Sequence, residues 1–160
     1  MIAEFESHTQ QIIALVSLWE PKLSKLPERI IRDEFNTQNR SIKQIVGHMV
    51  DSASNNIHRI VHLQYQKSPF LFPNYATNGD NDRWISIQNY QEENWHELVQ
   101  LWKYTNLHWA HIVGHIREAK LEQKWIAGPN QNVTLKEMVL DYLRHFQLHL
   151  DEIDELINRE

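Results

Sequence analysis

Apolar residues recur at helical spacing along four long stretches of this chain, and this periodicity is the strongest constraint on its fold. The stretches cover about residues 2–26, 41–66, 87 or 91 to 115, and 134–158. Only 4 glycines and 5 prolines interrupt the 160 residues, which is typical of few, long elements. No convincing strand pattern is present. The sequence therefore predicts an all-α domain, and antiparallel four-helix bundle packing is the expected solution.

Local signals mark two of the helix starts and two interruptions. Ser41 begins the second helix with a capping box, and Thr134 begins the last helix with another. Pro21 lies inside the first helical pattern and predicts a kink or a restart there. Residues 67–86 combine turn formers with aromatic side chains. We expect this segment either to cover one end of the bundle or to line a substrate pocket.

The composition excludes several classes of protein. The chain has no cysteine, which rules out disulfides, thiolate metal ligands and a cysteine nucleophile. Its formal charge of -5 disfavours a nucleic-acid partner, because that function normally needs a basic surface. No apolar run is long enough to span a membrane, and the start does not resemble a signal peptide. We expect residues 1–160 to form one soluble, cytoplasmic domain.

Histidine is unusually frequent, with 10 copies. Three pairs have the i, i+4 spacing that places two imidazoles on one helix face, as metal ligands often are. They are His58 and His62, His111 and His115, and His145 and His149. Each helical residue advances about 100° around the axis. With Tyr142 set at zero, His145 and His149 fall at about 300° and 340°, within or beside the apolar arc, whereas the other pairs point outward.

A facing helix can supply a third ligand to such a pair. His48 lies at the flank of the second apolar stripe, in a polar column with Ser52 and Asn55. A buried polar column costs stability unless it is satisfied, and a metal ion with its waters would satisfy it. We therefore predict a site of His48, His145 and His149. The alternative is that the two inward histidines of the last helix are core residues bonded to ordinary protein groups.

Three stretches of the chain resemble the DinB-like superfamily, also called DinB/YfiT-like. They are residues 48–64 (HMVDSASNNIHRIVHLQ), 101–116 (LWKYTNLHWAHIVGHI) and 133–153 (VTLKEMVLDYLRHFQLHLDEI). With the first helix, the resemblance covers nearly the whole chain. Its specific part is His48 together with His145-x-x-x-His149. It implies a four-helix bundle in which these histidines hold a divalent ion, often nickel or zinc, with waters completing the shell. It also implies a homodimer.

The resemblance says less about the substrate. The segment from Tyr75 to Trp84 is longer and richer in Asn and Asp than the resemblance predicts. Ile57 and Ile60 stand where a histidine and an aromatic residue are expected. Members of the superfamily include transferases that use low-molecular-weight thiols, and many members have no known activity. We therefore expect a small-molecule substrate and carry over no particular substrate from a relative.

Three neutral imidazoles with open coordination positions are typical of a catalytic metal site. Such an ion acidifies a bound water or thiol, so hydrolysis and thiol-dependent transfer are both hypotheses. Asp51 is a weak candidate for a general base, while Asp141 and Glu152 are candidates for groups that orient the ligands. Arg59 and Arg144 either bind an anionic substrate or remain solvated.

The competing hypothesis is a non-catalytic metal-binding or interaction module. Trp95, Trp102 and Trp109 follow one another at a spacing of seven residues on the third helix. This pattern favours a core or a dimer seam over a ligand cage.

Overall fold

The computed structural model describes residues 2–73, 75 and 79–159 of the chain. Its α-helices are α1 (Ala3–Ser24), α2 (Glu28–Asp33), α3 (Ile42–Leu63), α4 (Asp80–Gln88), α5 (Trp95–Val113) and α6 (Leu135–Ile157). The four long helices, α1, α3, α5 and α6, contain 19 to 23 residues each. Helices α1 and α3 each pack against both α5 and α6. The predicted four-helix bundle is therefore confirmed.

Both predicted capping boxes are present. The Ser41 hydroxyl accepts from the Gln44 backbone N–H at 3.3 Å, and the Gln44 side chain accepts from the Ser41 N–H at 2.9 Å. At the start of α6, Thr134 and Glu137 exchange the same two bonds. Such reciprocal bonds satisfy N–H groups that have no partner within the helix. The predicted restart at Pro21 is wrong, because α1 continues through this residue to Ser24.

The core of the bundle is built around the tryptophans of α5. Trp102 and Trp109 are fully buried, with Trp102 stacked on Phe146 and Trp109 on Tyr142. The centroids of the Trp109 and Tyr142 rings are 4.2 Å apart. Trp95 is half-buried, and its indole N–H donates to the Leu23 carbonyl. The core interpretation of this series is confirmed, since the two inner tryptophans pack within one chain and have no exposed face.

The prediction of no strands is wrong. A small sheet contains β1 (Phe70–Leu71), β2 (Lys124–Gly128) and β3 (Gln131–Thr134), in the order β1-β2-β3. β1 runs parallel to β2, while β2 and β3 form an antiparallel hairpin. Strands of two to five residues are too short to show the alternation from which a strand is predicted.

The structure also differs from the prediction in residues 67–86, which were expected to be irregular, because α4 occupies the last part of this segment. This helix starts after Gly79, whose φ of 75° suits glycine, and ends at Gln88, before Asn89, which is also left-handed with a φ of 51°. Asn74 and residues 76–78, including part of the predicted turn at Asn78-Gly79, lie outside the described residues.

The third long helix begins later than predicted. A short 3₁₀ helix, Tyr90–Glu92, precedes it, and the Asn94 side chain then caps α5 by accepting from the Glu97 N–H at 3.1 Å. Within the described part of the chain, no helix is both long and apolar enough to cross a membrane.

Candidate metal centre

The structure brings together the three histidines that the sequence predicted as ligands. His48 projects from α3, while His145 and His149 project from successive turns of α6. One ring nitrogen of each lies within 4.8 Å of the other two. The Nε2 atoms of His145 and His149 are 3.2 Å apart. Two nitrogens bound tetrahedrally at about 2.0–2.1 Å from a metal are separated by about 3.3 Å. The distance between these two Nε2 atoms is therefore close to that expected for two nitrogens bound to one metal ion.

The outer nitrogens of two of these rings are held by protein groups. His149 Nδ1 lies 2.8 Å from a Glu152 carboxylate oxygen, which can only accept, so the ring donates there and keeps its Nε2 lone pair. His48 Nδ1 lies 2.6 Å from the Tyr75 hydroxyl, which in turn donates to the His48 carbonyl oxygen at 3.2 Å. With its proton directed at that carbonyl, the hydroxyl is an acceptor for Nδ1–H, and this is the tautomer that leaves Nε2 available to a metal ion. Metal-binding histidines are typically oriented in this way by their second nitrogen.

Burial keeps the cluster in the form that binds metals. Desolvation, reinforced by the neighbouring imidazoles, lowers the pKa of His48 to about 2 and that of His145 to about 4. Both rings are therefore neutral at neutral pH. Burial acts to raise the pKa of Glu152, but the hydrogen bond that it accepts from His149 and the nearby charge of Arg40 outweigh burial and leave this pKa lowered. The carboxylate beside His149 is therefore ionised.

This donor set fits a divalent ion. Three imidazoles, two of them bonded to protein groups through their outer nitrogens, converge within 4.8 Å, and three ligands leave further coordination positions open. The alternative, core histidines bonded to protein groups, accounts for the outer nitrogens of His48 and His149. That alternative does not explain why the inner nitrogens of the three rings face one another. The Nε2 atoms of His145 and His149 can share at most one proton between them.

The other histidine pairs lie on outer faces, as predicted. His111 and His115 are exposed, and His115 Nδ1 bonds only locally, to the His111 carbonyl. His58 is exposed, and His62 is half-buried against Phe70. Among the described residues, the group of His48, His145 and His149 is the one in which three potential ligands converge.

The acidic residues proposed around the site have different roles. Glu152 contacts the His149 ring, as predicted, but Asp141 is exposed and pairs with Arg144 at 2.7 Å instead. Asp51 is buried and accepts from the Tyr90 hydroxyl at 2.7 Å and from Gln88 at 2.6 Å. Burial raises its pKa, although both hydrogen bonds oppose the effect. It is therefore committed to a structural network.

A cavity of about 140 Å³ adjoins the histidine cluster. Its wall includes His145, Tyr75 and Arg59. The loop residue Tyr75 thus touches both His48 and the cavity, which favours the pocket-lining interpretation of its segment. The solvated interpretation holds for Arg144, which is exposed, but it is wrong for Arg59, which is 5% exposed. Trp125 of the unpredicted sheet covers the Arg59 guanidinium.

Sequence reasoning missed Tyr75 as the partner of His48. The two residues are separated by 27 positions, and the tyrosine lies in a segment without helical or strand periodicity. No spacing rule connects them. The only available signal was the presence of aromatic side chains in a polar loop, which indicated contact with the domain but not with a particular residue.

The fold is similar to that of a solved structure, YfiT from Bacillus subtilis. YfiT is described as a probable metal-dependent hydrolase with an unusual four-helix bundle topology. The match covers 96% of this chain and 88% of YfiT, with a TM-score of 0.76 and 16% sequence identity. A likeness at this identity shows the fold, and it confirms the four-helix bundle that the sequence resemblance implied. No family model matches the chain, and no curated protein matches it either.

Proposed function

We propose that His48, His145 and His149 bind one divalent ion, nickel or zinc, and that the protein is a metal-dependent hydrolase of a small molecule. The observation that carries this proposal is the convergence of three imidazoles whose ring nitrogens lie within 4.8 Å of one another. The description of YfiT, which has the same fold, as a probable metal-dependent hydrolase supports the reaction class. When bound, such an ion activates water and polarises a carbonyl group.

The surroundings of the cluster support a catalytic role over a purely structural one. Structural zinc sites are usually closed by four protein ligands, whereas catalytic sites keep an open position. His145 contributes both to the cluster and to the wall of the adjoining cavity, so a ligand in the cavity would lie beside the open positions. Pockets for drug-sized ligands occupy about 300–1,000 Å³. The cavity, at about 140 Å³, suits a smaller substrate.

Each protein group around the cluster has a defined task in this proposal. Tyr75 and Glu152 hold the outer nitrogens of His48 and His149, which fixes the tautomers and the ring orientations. Burial keeps His48 and His145 neutral. The ionised Glu152 places one negative charge next to the ligand set, which favours a divalent cation.

Metal binding is tested on protein prepared without a histidine tag. After chelation and incubation with nickel or zinc, elemental analysis should give about one ion per chain. His149→Ala should abolish binding, whereas His111→Ala, the matched change on an exposed pair, should leave it intact. Absence of metal from the wild type, or loss of metal in the second variant only, would remove the proposed site.

The reaction class is tested by screening ester and amide substrates with metal-loaded protein, with and without small thiols. Hydrolysis in the absence of thiol, lost on chelation, is the expected result. Activity that requires thiol would replace this proposal with the thiol-dependent transferase that the sequence resemblance also allows. Full metal occupancy without any activity would favour the non-catalytic module. Homodimerisation stays a prediction, and light scattering of the purified protein tests it.

A further inference from the structure

Arg59 is a buried cation without a counterion among the described residues. Its side chain is 5% exposed, and it forms no ion pair with any described carboxylate. Its Nε and Nη2 atoms are buried without a hydrogen-bond partner. Charged groups in protein interiors are normally paired, because an unpaired buried charge is costly.

Aromatic rings hold the guanidinium in place but leave its donors free. The Arg59 Cζ atom lies 4.2 Å from the centre of the Trp125 ring and 5.3 Å from that of Phe72. Such contacts attract the positive charge to the ring and provide no oxygen acceptor for its N–H donors. The Nε and Nη2 hydrogens lie in its plane and point from one edge, as two parallel donors. This edge matches the two oxygens of a carboxylate.

Arg59 lies on the wall of the cavity beside the histidine cluster. Arg59, Asn56 and His145 all line this cavity. Arg59 follows His48 by eleven residues on α3, which is about 16 Å along the axis, and helical side chains tilt towards the N-terminus. The Arg59 arm therefore extends back towards the cluster. The Oδ1 atom of Asn56 is also buried without a partner, so the cavity offers an acceptor as well.

The charges around the cavity favour a single negative charge on the ligand. Burial lowers the pKa of Arg59 to about 10, so the group remains charged at neutral pH. Asp141, the carboxylate on the cavity wall, is exposed and already bonded to Arg144 at 2.7 Å. One unpaired cation therefore remains. A carboxylate matches it with one negative charge, whereas a phosphate monoester carries about -1.5 to -2.

We propose that Arg59 binds the carboxylate group of a small ligand in this cavity through Nε and Nη2. It follows, resting on the proposed function, that the substrate is a small carboxylate whose other end lies at the histidine cluster. Arg59 would then be a substrate-binding and specificity-determining residue.

The direct test follows the Arg59 Nε–H resonance by NMR during a titration of metal-free protein with sodium acetate at constant ionic strength. We expect a saturable shift of this resonance and of the Asn56 side-chain amide. Sodium chloride should produce neither shift. An Arg59 resonance that does not respond to acetate would overturn the proposal, as would a response to inorganic phosphate at lower concentration than to acetate.

Matched substitutions of two arginines identify the residue responsible. Arg59→Lys keeps the positive charge but loses the two parallel N–H donors. It should weaken acetate binding at least about tenfold, as measured from the shift of the Asn56 side-chain amide. Arg144→Lys changes the exposed arginine in the same way and should bind acetate as the wild type does. Equal affinity in both variants would contradict the proposal. The wild-type titration decides the matter if Arg59→Lys fails to fold.

Repeating the titration on zinc-loaded protein separates this inference from the proposed function. Zinc binding is read from the ring resonances of the ligand histidines, such as His149. If zinc leaves these rings unchanged while acetate still shifts Arg59, the proposed function fails and the anion site stands. If zinc binds and acetate leaves Arg59 unchanged, the anion site fails and the metal site stands.

Discussion

Replacement of Glu152 tests whether its carboxylate holds His149 in a metal-binding orientation. The two side chains are joined at 2.8 Å and are poorly exposed, at 21% and 6%, so solvent screens the contact little. Removing a group that orients a metal ligand typically costs about 10- to 100-fold in metal affinity. We expect Glu152→Ala to reach about 100-fold, which is roughly 2.7 kcal/mol.

Glu152→Gln isolates the contribution of the charge. An amide oxygen can still accept from His149 Nδ1 but carries no negative charge. We therefore expect a smaller loss of affinity, about tenfold or 1.4 kcal/mol. Zinc affinity is measured by competition with a chromophoric chelator, and thermal unfolding of the metal-free proteins checks that each variant folds.

The matched control is Asp141→Asn, because Asp141 also flanks the histidine pair on α6 but bonds Arg144 instead. Its affinity for zinc should equal that of the wild type. The reasoning is refuted if Glu152→Ala binds zinc as tightly as the wild type does. Equal losses in the Glu152 and Asp141 variants would also refute it, since they would indicate a general effect of charge rather than orientation of one ring.

Two further predictions concern the end of the bundle around Tyr90. Gly47→Ala should destabilise the protein by about 1–3 kcal/mol, measured by urea unfolding, because the new Cβ would lie 2.2 Å from the Tyr90 ring. This clash outweighs the gain of about 1 kcal/mol that alanine brings in helix propensity. A variant as stable as the wild type, or more stable, would contradict the prediction. The pKa of Asp51 is raised by burial, so its contribution to stability is greatest below the usual value of about 3.9 and is lost as pH rises through the folded pKa. The free energy of unfolding of Asp51→Asn, relative to that of the wild type, should therefore increase as pH rises above about 4. A difference that stays constant with pH would show that ionisation of Asp51 does not destabilise the folded protein.

The long helices and the histidine cluster could be predicted because both depend on local geometry. A periodic pattern sustained over 19 or more residues defines which face of a helix is buried, and the capping boxes at Ser41 and Thr134 fix two of the starts. Once the inward face of α6 is known, the positions of His145 and His149 follow from the helical turn. Their meeting with His48 needed only that α3 and α6 be neighbours.

The remaining parts depend on contacts between distant segments. The strands contain two to five residues, too few for a recognisable pattern, and their pairing joins Phe70 to Trp125 across the fold. The burial of Arg59 is a consequence of that pairing, since Trp125 lies over its guanidinium. A charged residue on a helix is normally solvated, so its sequence alone predicted the opposite environment.

The most direct test of the metal site is anomalous X-ray diffraction from crystals of zinc-loaded protein, with data collected on both sides of the zinc absorption edge. We predict one anomalous peak per chain, about 2.0–2.1 Å from a ring nitrogen of each of His48, His145 and His149. No peak at this position, or a peak only between the exposed His111 and His115, would contradict the account.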